Sequence, residues 1–422
     1  MPAAGVASYK GRMTTTTTTP SSTAVRRPLV LRPDALFDGQ RAQLIDHPSV
    51  LIEGDTVVAV DTGRLDTFTD AEVIDLPGTT LVPGLIDIHV HLIFDGSPDA
   101  VGSLAMRTDE EALDTMVIAA RRTLQAGITT VRDLGDRSYL ATQVVDRAGA
   151  EPVPTIVAAG PPITTPGGHC HFLGEVACGA NDLRASVREH VERGVGVIKV
   201  MASGGNVTPG SDPARAQYDE AEMRALVDEA HRHGLPVVAH AHSAEAIVHA
   251  VAAGVDGIEH CTFQTPAGIV PDQALIDEIA RQRIVIGSTV GVLPGFTPPP
   301  SIAPHLAAII ASHRALHEAG AIVLAGTDAG LAPPKPHDVL PYGIEQLTDL
   351  GLTNVEALQA NTSDAARALG LGDRKGRIAP GYDADLLVVR GNPLDDLARL
   401  RDVEAVWHAG RVVRDERATG RA

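Results

Sequence analysis

Six polar residues in this chain each follow directly on a short apolar run of the kind that forms a buried β-strand: His89, His91, Lys199, His240, His260 and Asp328. His89 and His91 are two positions apart, so on a strand both side chains point to the same face. Imidazoles and a carboxylate are common ligands of zinc and similar divalent ions. Taken one at a time, a hydrogen-bonded strand histidine or a turn aspartate explains each of them equally well. Six such residues at strand ends indicate a metal site.

Lys199 is the least expected of the six, because it lies inside "GVGVIKVMASGG" (residues 194–205), a run that is apolar on both faces. Burial lowers the pKa of a lysine, so the amine loses its charge readily. A neutral amine adds carbon dioxide to give a carbamate, an anion whose two oxygens bridge two divalent cations, which stabilise its charge in turn. The alternative is a structural lysine paired with an interior carboxylate.

The elements that would position these residues alternate along the middle of the chain. Eight apolar runs, from "GLIDIHVHL" to "AIVLAGTDAG", are separated by amphipathic helical patterns, several of which end in glycine. This alternation predicts a (β/α)8 TIM barrel over residues 80–371, whose chemistry collects at the carboxyl ends of the strands. Residues 28–79 and 372–415 are short β-like pieces with Gly-Asp and Gly-Arg turns, which predict one small β-sandwich built from both chain ends.

Six stretches, "VPGLIDIHVHL", "IKVMASGG", "VVAHAHS", "GIEHCTF", "LAGTDAG" and "GYDADLLVV", closely resemble the binuclear metal-dependent amidohydrolase superfamily. The branch they resemble most is that of Xaa-Pro and Xaa-Arg dipeptidase-like enzymes, which also holds ochratoxin-type amidases and hydrolases of phenylurea and thiocarbamate herbicides. The resemblance covers about residues 28–415.

Carried over by motif, the resemblance implies that His89, His91 and Asp328 hold one metal ion and that His240 and His260 hold the other. Carboxylated Lys199 bridges the two, and a metal-bridging hydroxide attacks the scissile carbonyl. Asp328 then acts as base and acid, taking the proton of the hydroxide and delivering it to the leaving amine. Zinc is the expected metal.

Three more residues are candidates for the site. His169 follows "TTPGG" in a loop over residues 161–182, which is longer than most strand–helix connections. The branch uses a histidine of such a loop to stabilise the oxyanion; the alternative is a histidine on the surface of the loop. His242 shares the inward face with His240, where related dipeptidases place a residue that contacts the substrate carboxylate; the alternative is a hydrogen-bond partner for the site. Arg132 ends the second barrel strand and either binds a carboxylate or pairs with Asp133 or Asp136.

Other residues with reactive side chains have simpler interpretations. The histidines within helical patterns are expected to be solvated; they are His231, His233, His249, His313 and His317. The Pro-rich stretch "GVLPGFTPPP" (residues 291–300) is expected to shape the substrate pocket. Cys170 and Cys178 share a loop with His169 and His171, so a small metal site there is a further alternative, although no CxxC pair accompanies them.

Composition excludes several classes of protein. A formal net charge of −18 argues against nucleic acid or an anionic membrane as a partner. No run approaches 18 apolar residues, so no transmembrane helix is expected. An odd count of three cysteines fits reduced thiols in a cytoplasm. The Thr-rich residues 1–27 have no apolar core of a secretory signal, so we expect a disordered leader, with Met13 as an alternative start.

Together these observations predict a cytoplasmic hydrolase that uses two divalent ions to cleave a C–N amide bond of a small molecule, a dipeptide or an N-acyl amino acid. An enzyme that hydrolyses a urea, a carbamate-type xenobiotic or a cyclic amide is the first alternative. Deamination fits less well, because deaminases of the superfamily use one metal and have no bridging lysine. A metal-free scaffold protein on the same fold is the alternative from another class. The branch also implies a homo-oligomer.

Overall fold

A computed structural model describes residues 27–62 and 70–419 of the chain. The predicted leader and the alternative start at Met13 lie outside the described residues, apart from residue 27. The β-strands are Leu29–Leu36 (β1), Ile45–Asp46 (β2), Ser49–Glu53 (β3), Thr56–Asp61 (β4), Glu72–Pro83 (β5), Leu85–Val90 (β6), Ile128–Asp133 (β7), Thr155–Ala158 (β8), Ile198–Met201 (β9), Val237–Ser243 (β10), Gly257–Thr265 (β11), Gly268–Ile269 (β12), Val285–Ser288 (β13), Ile322–Ala325 (β14), Leu386–Arg390 (β15), Val403–His408 (β16) and Arg411–Asp415 (β17).

The α-helices fill the connections between the central strands. They are Ala100–Ala105 (α1), Asp109–Gln125 (α2), Val144–Ala148 (α3), Ala180–Glu192 (α4), Glu220–Arg232 (α5), Ala244–Ala253 (α6), Gln273–Gln282 (α7), Leu306–Glu318 (α8), Leu340–Gln346 (α9), Asn354–Ala360 (α10) and Ser363–Ala368 (α11). Several begin where the sequence places a cap. Thr108 and Glu111 form a reciprocal capping box at the start of α2, and Asp219 and Glu222 form another at the start of α5. The chain therefore alternates strand and helix from β6 to α11.

The central strands form a parallel TIM barrel. Strands β6, β7 and β8 make one arc, and β9, β10, β11, β13 and β14 make the other. Parallel backbone bridges join the arcs at both seams, one between Val90 and Ala329 and one between Ile163 and Val200. Each of the eight apolar runs of the sequence overlaps one of these strands. The predicted fold class is thus confirmed.

The two ends of the chain meet in one mixed sheet of eight strands. Its order is β17-β16-β15-β5-β1-β3-β4, and β2 pairs with β1. The buried residues of this sheet form a hydrophobic cluster of their own, to which Leu31 and Val50 contribute from one chain end and Leu386 and Trp407 from the other. Strand β5 runs on to Pro83, which pairs with Leu386, so the boundary predicted between residues 79 and 80 falls inside a strand.

Among the described residues, no helix is long and apolar enough to cross a membrane.

Candidate metal centre

The first group of possible ligands lies where β6 meets the end of β14. The Nε2 atom of His89 is 3.3 Å from Nε2 of His91, and the two atoms lie 3.4 Å and 3.2 Å from Oδ1 of Asp328. Nδ1–H of His89 donates to a carboxylate oxygen of Glu259, and Nδ1–H of His91 donates to the carbonyl of Gly135. Because the Nδ1 atoms carry these protons, both Nε2 lone pairs face the carboxylate. Three acceptor atoms that face one another could hold a metal ion.

The backbone at this seam holds Asp328 in an unusual conformation. Its φ of 58° lies in the left-handed region, which aspartate tolerates better than most residues but still at a cost. Its N–H donates to the carbonyl of His89 over 2.7 Å. Asp87 accepts hydrogen bonds from the backbone N–H of His89 and from both N–H and hydroxyl of Thr327. These contacts tie the carboxylate ligand to the strand that carries the two histidines.

The second group lies on the neighbouring strands β10 and β11. His240 and His260 have ring centroids 4.5 Å apart, and His242 lies 4.4 Å from His260 with its ring stacked on it. One ligand atom of each of the three lies within 4.8 Å of the others, so the group could hold a metal ion. His240 donates Nε2–H to the carbonyl of Gly204, which leaves its Nδ1 lone pair free. His242 is thus close enough to be a ligand as well as a substrate contact.

Lys199 is fully inside the barrel, with 1% of its surface exposed, and its Nζ has no hydrogen-bond partner among the described residues. Burial lowers the pKa of this amine to about 8. Its charge also contributes to lowering the pKa values of His89 in the first group and of His240 and His260 in the second, so it acts on both groups. Among the described residues, Lys199 therefore does not form the alternative predicted for it, a pair with an interior carboxylate.

Arg132 corrects one expectation from the sequence. Its guanidinium is buried, donates to Glu259 over 2.9 Å and to the carbonyl of Ile88 over 2.7 Å, and does not line the cavity. It therefore neither faces a substrate carboxylate nor pairs with Asp133 or Asp136. The physical reason is Glu259, an unexposed carboxylate that needs a cation inside the barrel.

Glu259 is the residue that the sequence analysis missed. Burial alone would raise its pKa, but His89 and Arg132 outweigh this effect and lower the pKa to about 2. The carboxylate thus stays ionised and fixes the orientation of the His89 ring. The stretch "GIEHC" contains the signal that could have identified it, a charged residue inside an apolar run, as at Lys199. Asp87, in "GLIDIHVHL", is a second case of the same kind.

His169 reaches the centre from the long loop between β8 and α4. The loop is anchored to β9, since N–H of Ile163 donates to the carbonyl of Lys199 and N–H of Met201 donates to the carbonyl of Ile163. The His169 ring lies 4.6 Å from that of His240, and burial lowers the pKa of His169 to about 4, so the ring is neutral at pH 7. Its neighbour Cys170 is buried, whereas Cys178 is exposed. The described residues therefore do not form the alternative cysteine site.

His313 corrects a second expectation, because it is buried rather than solvated. Its Nε2–H donates to the carbonyl of His260 over 2.7 Å, so its Nδ1 accepts the hydroxyl proton of Ser288. His260 has a φ of 69°, a strained conformation for a residue with a side chain. His313 therefore helps to hold a candidate ligand in place. A helical position alone gave no signal of this contact.

The two groups open into a cavity of about 840 Å³. The candidate ligands, Lys199 and His169 line one end of it. The Pro-rich loop forms part of the other wall, as the sequence predicts, together with the start of α8; Val292, Phe296, Pro298, Ile302, Leu306 and Ile309 are among the apolar residues there. The cavity therefore combines a polar end, where the ligand groups meet, with an apolar wall.

The chain belongs to the amidohydrolase family, whose sequence profile matches residues 80–413. Ochratoxinase of Aspergillus niger is 26% identical over 439 residues, which cover 91% of this chain and 88% of that protein. Imidazolonepropionase of Deinococcus deserti is 28% identical over 404 residues, covering 87% of this chain and 92% of the relative. A solved structure of a Xaa-Pro dipeptidase with bound methionine has a TM-score of 0.81 at 27% identity and covers 91% of this chain and 99% of its own.

These relatives match the branch that the sequence motifs resemble. Together with the family assignment they identify the chain as an enzyme that hydrolyses C–N bonds.

Proposed function

We propose that the protein is a binuclear metal-dependent amidohydrolase that cleaves the amide bond of a dipeptide or an N-acyl amino acid. One observation carries the proposal. Two groups of ligand atoms lie at the end of one barrel, and the amine of Lys199, which has no hydrogen-bond partner in the described part of the chain, acts electrostatically on both.

The residues present fit two divalent ions. His89, His91 and Asp328 would hold one, and His240 and His260 the other, with His242 in reach of the second. Imidazole and carboxylate together favour zinc. When bound, two such ions polarise a carbonyl group and make water more acidic, which is the chemistry that amide hydrolysis needs.

Lys199 would join the two groups as a carbamate. The lone pair of the neutral amine attacks carbon dioxide, a C–N bond forms, and one proton leaves to solvent. The product is an anion with two oxygens in place of a neutral amine. Burial favours this reaction, because a pKa of about 8 leaves about a tenth of the amine neutral at pH 7, far more than at the ordinary lysine pKa of 10.5.

Two further residues have roles at the scissile bond. Asp328 would take a proton from the attacking water and return it to the leaving amine. Burial alone would raise the pKa of Asp328, but His89 and His91 hold it far below its usual range, so the carboxylate is ionised at pH 7. Neutral His169 would donate an N–H to the oxyanion of the tetrahedral intermediate. His242 would contact the substrate carboxylate or support the second ion.

The shape of the cavity and the named relatives support this substrate class. An amide of moderate size fits a cavity of about 840 Å³ that is polar at one end and apolar on one wall. A Xaa-Pro dipeptidase and ochratoxinase are among the similar proteins. The domain limits, a cytoplasmic location and a homo-oligomeric state stay predictions.

A substrate screen tests the proposal. The zinc-loaded protein is assayed with dipeptides, N-acyl amino acids, N-aryl ureas, carbamates and cyclic amides, and the released amine or acid is identified by mass spectrometry. We expect turnover of dipeptides or N-acyl amino acids that chelation abolishes and zinc restores. Turnover confined to ureas, carbamates or cyclic amides would give the first alternative function. A protein that binds no metal and hydrolyses none of these substrates would be a scaffold.

A further inference from the structure

Lys335 is a lysine of the cavity that neither the ligand groups nor the proposed chemistry uses. It lies in "GLAPPKPHD" (residues 330–338), after β14. Its Nζ donates to the carbonyl of Thr289 over 2.9 Å and to the carbonyl of Thr327 over 2.7 Å. An ammonium group has three N–H donors, so one remains for a further acceptor.

The two carbonyls place this amine at the polar end of the cavity. Thr327 directly precedes Asp328 of the first ligand group. The hydroxyl of Thr289 lies 3.1 Å from Nδ1 of His260 in the second group. Lys335 thus binds the backbone beside both groups and lines the same cavity.

The charge of Lys335 is not neutralised by a neighbouring carboxylate in the described part of the chain. Among the described residues, no carboxylate forms an ion pair with it, although Asp328 and Asp87 act on it at longer range and oppose the effect of burial on its pKa. Apart from Lys199 and the histidines, Lys335 supplies the positive charge among the described residues that line the cavity. Arg132, the other cation nearby, is held by Glu259.

The apolar wall begins immediately next to this charge. Thr289 accepts the hydrogen bond from Lys335, and Val290 and Val292 follow it in the cavity lining, with Phe296 and Ile302 beyond them. A substrate that satisfies both features carries one anionic group and one bulky apolar group. Dipeptides and N-acyl amino acids with large apolar side chains or acyl groups have this combination.

We propose that Lys335 binds the carboxylate of the substrate and selects free-acid substrates with a bulky apolar part; this inference rests on the proposed amide hydrolysis. The remaining N–H of the ammonium group donates to a carboxylate oxygen, and the two backbone carbonyls hold the amine in place for it. A charge-assisted hydrogen bond of this kind is among the stronger polar contacts.

The first test uses the wild-type enzyme and two substrates. N-benzoyl-L-phenylalanine and its methyl ester have the same scissile amide and differ in the negative charge. We expect kcat/KM for amide cleavage to be at least about tenfold higher for the free acid. Equal values for the two compounds would overturn the inference while leaving amide hydrolysis in place. If the enzyme cleaves neither compound and no other amide in the screen, the result counts against the proposed function instead.

The second test uses variants that separate charge from hydrogen bonding. Lys335→Gln keeps N–H donors for the carbonyls but has no charge, Lys335→Met has neither, and Lys335→Arg keeps the charge. We expect the ratio of kcat/KM for acid and ester to fall to about one in the Gln and Met variants and to be largely retained in Lys335→Arg, mainly through KM. If Lys335 has only a structural role, its replacement lowers kcat/KM equally for the acid and the ester. The ratio then stays unchanged, which would overturn the inference.

His242→Asn is the matched control, because His242 is the other candidate for contact with the carboxylate. If Lys335 is the main contact, this variant keeps most of the acid-to-ester preference. A preference that disappears in His242→Asn and persists in Lys335→Gln would assign the carboxylate to His242 and contradict the role of Lys335. Thermal unfolding of each variant shows that the comparison is made on folded protein.

Discussion

At the scale of single residues, the centre depends on charges placed where the sequence is otherwise apolar. Lys199, Glu259 and Arg132 are all buried within the barrel, and each would be costly there alone. Glu259 and Arg132 satisfy each other, and Glu259 also orients His89. Lys199 has no such partner among the described residues. The difference separates the residues that support the site from Lys199, the one for which we propose a reaction.

Glu259→Gln tests the supporting contact. It removes the negative charge that holds Nδ1–H of His89 and the guanidinium of Arg132, so one buried cation loses its partner. We expect the metal-free protein to lose about 3 kcal/mol of stability in urea unfolding, as for other broken buried pairs. Zinc affinity, measured by competition with a chelating dye, should fall by about 10- to 100-fold because the ring of His89 is no longer fixed.

Glu404→Gln is the matched control for this substitution, since Glu404 pairs with the largely exposed Arg390 on the chain-end sheet. Its loss should cost less than about 1 kcal/mol and leave zinc affinity unchanged. A Glu259→Gln protein with wild-type stability and wild-type zinc affinity would show that Glu259 does not support His89.

At the scale of elements, the sequence was informative where a pattern is local. The eight apolar runs predicted the barrel strands, because a buried parallel strand needs side chains that are apolar on both faces. Long-range contacts carry no local pattern. Nothing in a helical repeat shows that His313 bonds to the carbonyl of His260, or that Arg132 meets Glu259 from another strand. The candidate ligands could therefore be predicted, and the residues that hold them mostly could not.

The turn after β9 shows how closely two elements approach at the centre. A Cβ atom added at Gly205 would lie 2.4 Å from Nε2 of His169, far inside van der Waals contact. The His169 ring is buried and packs beside that of His240, so it has little room to move away. Glycine at position 205 therefore allows the long loop to deliver His169 to the cavity.

Gly205→Ala should displace His169 and lower kcat by about 10- to 100-fold, somewhat less than the loss of an entire oxyanion donor. His169→Ala should have at least as large an effect. In the His169→Ala background the Gly205→Ala change should cost almost nothing more, because the two act through one ring. Additive losses in the double variant would mean that Gly205 matters for another reason, and an unchanged kcat in both single variants would remove His169 from the mechanism.

At the scale of the whole molecule, the barrel interior controls the protonation of the site. The chain has a formal net charge of −18, yet its interior gathers histidines and lysines in a setting of low polarity. Burial lowers the pKa of His89 and of His169 to about 4 and that of His242 to about 3. These rings are therefore neutral at pH 7, which is the form that binds a metal or donates a single N–H.

The same shifts predict how the metal-free protein responds to acid. Because the folded-state pKa values lie below the ordinary value of 6.5, the unfolded chain binds protons first as the pH falls. The cost of these histidines to stability is therefore smallest above pH 6.5 and grows as the pH approaches about 4, whereas the raised pKa values of the buried Asp87, Asp133 and Asp136 act in the opposite direction. At pH 5 each of these histidines should lower the free energy of unfolding by about 2 kcal/mol relative to its value at pH 7.5.

Urea unfolding of the chelator-treated protein at pH 7.5, 6 and 5 measures this decline. His169→Gln is the control, because removing one buried histidine should make the pH dependence shallower. A His169→Gln protein whose stability depends on pH as steeply as that of the wild type would mean that the His169 ring is charged, or exposed, in the folded wild type.

The number of metal ions per chain tests the central claim most directly. Wild-type protein and Lys199→Ala are loaded with zinc, desalted and measured by elemental analysis. We predict about two ions per chain for the wild type and about one or fewer for Lys199→Ala, because the variant has no bridging anion between the two cations. A wild-type value well below one ion per chain would contradict the binuclear centre. Two ions retained by Lys199→Ala would contradict the bridging carbamate.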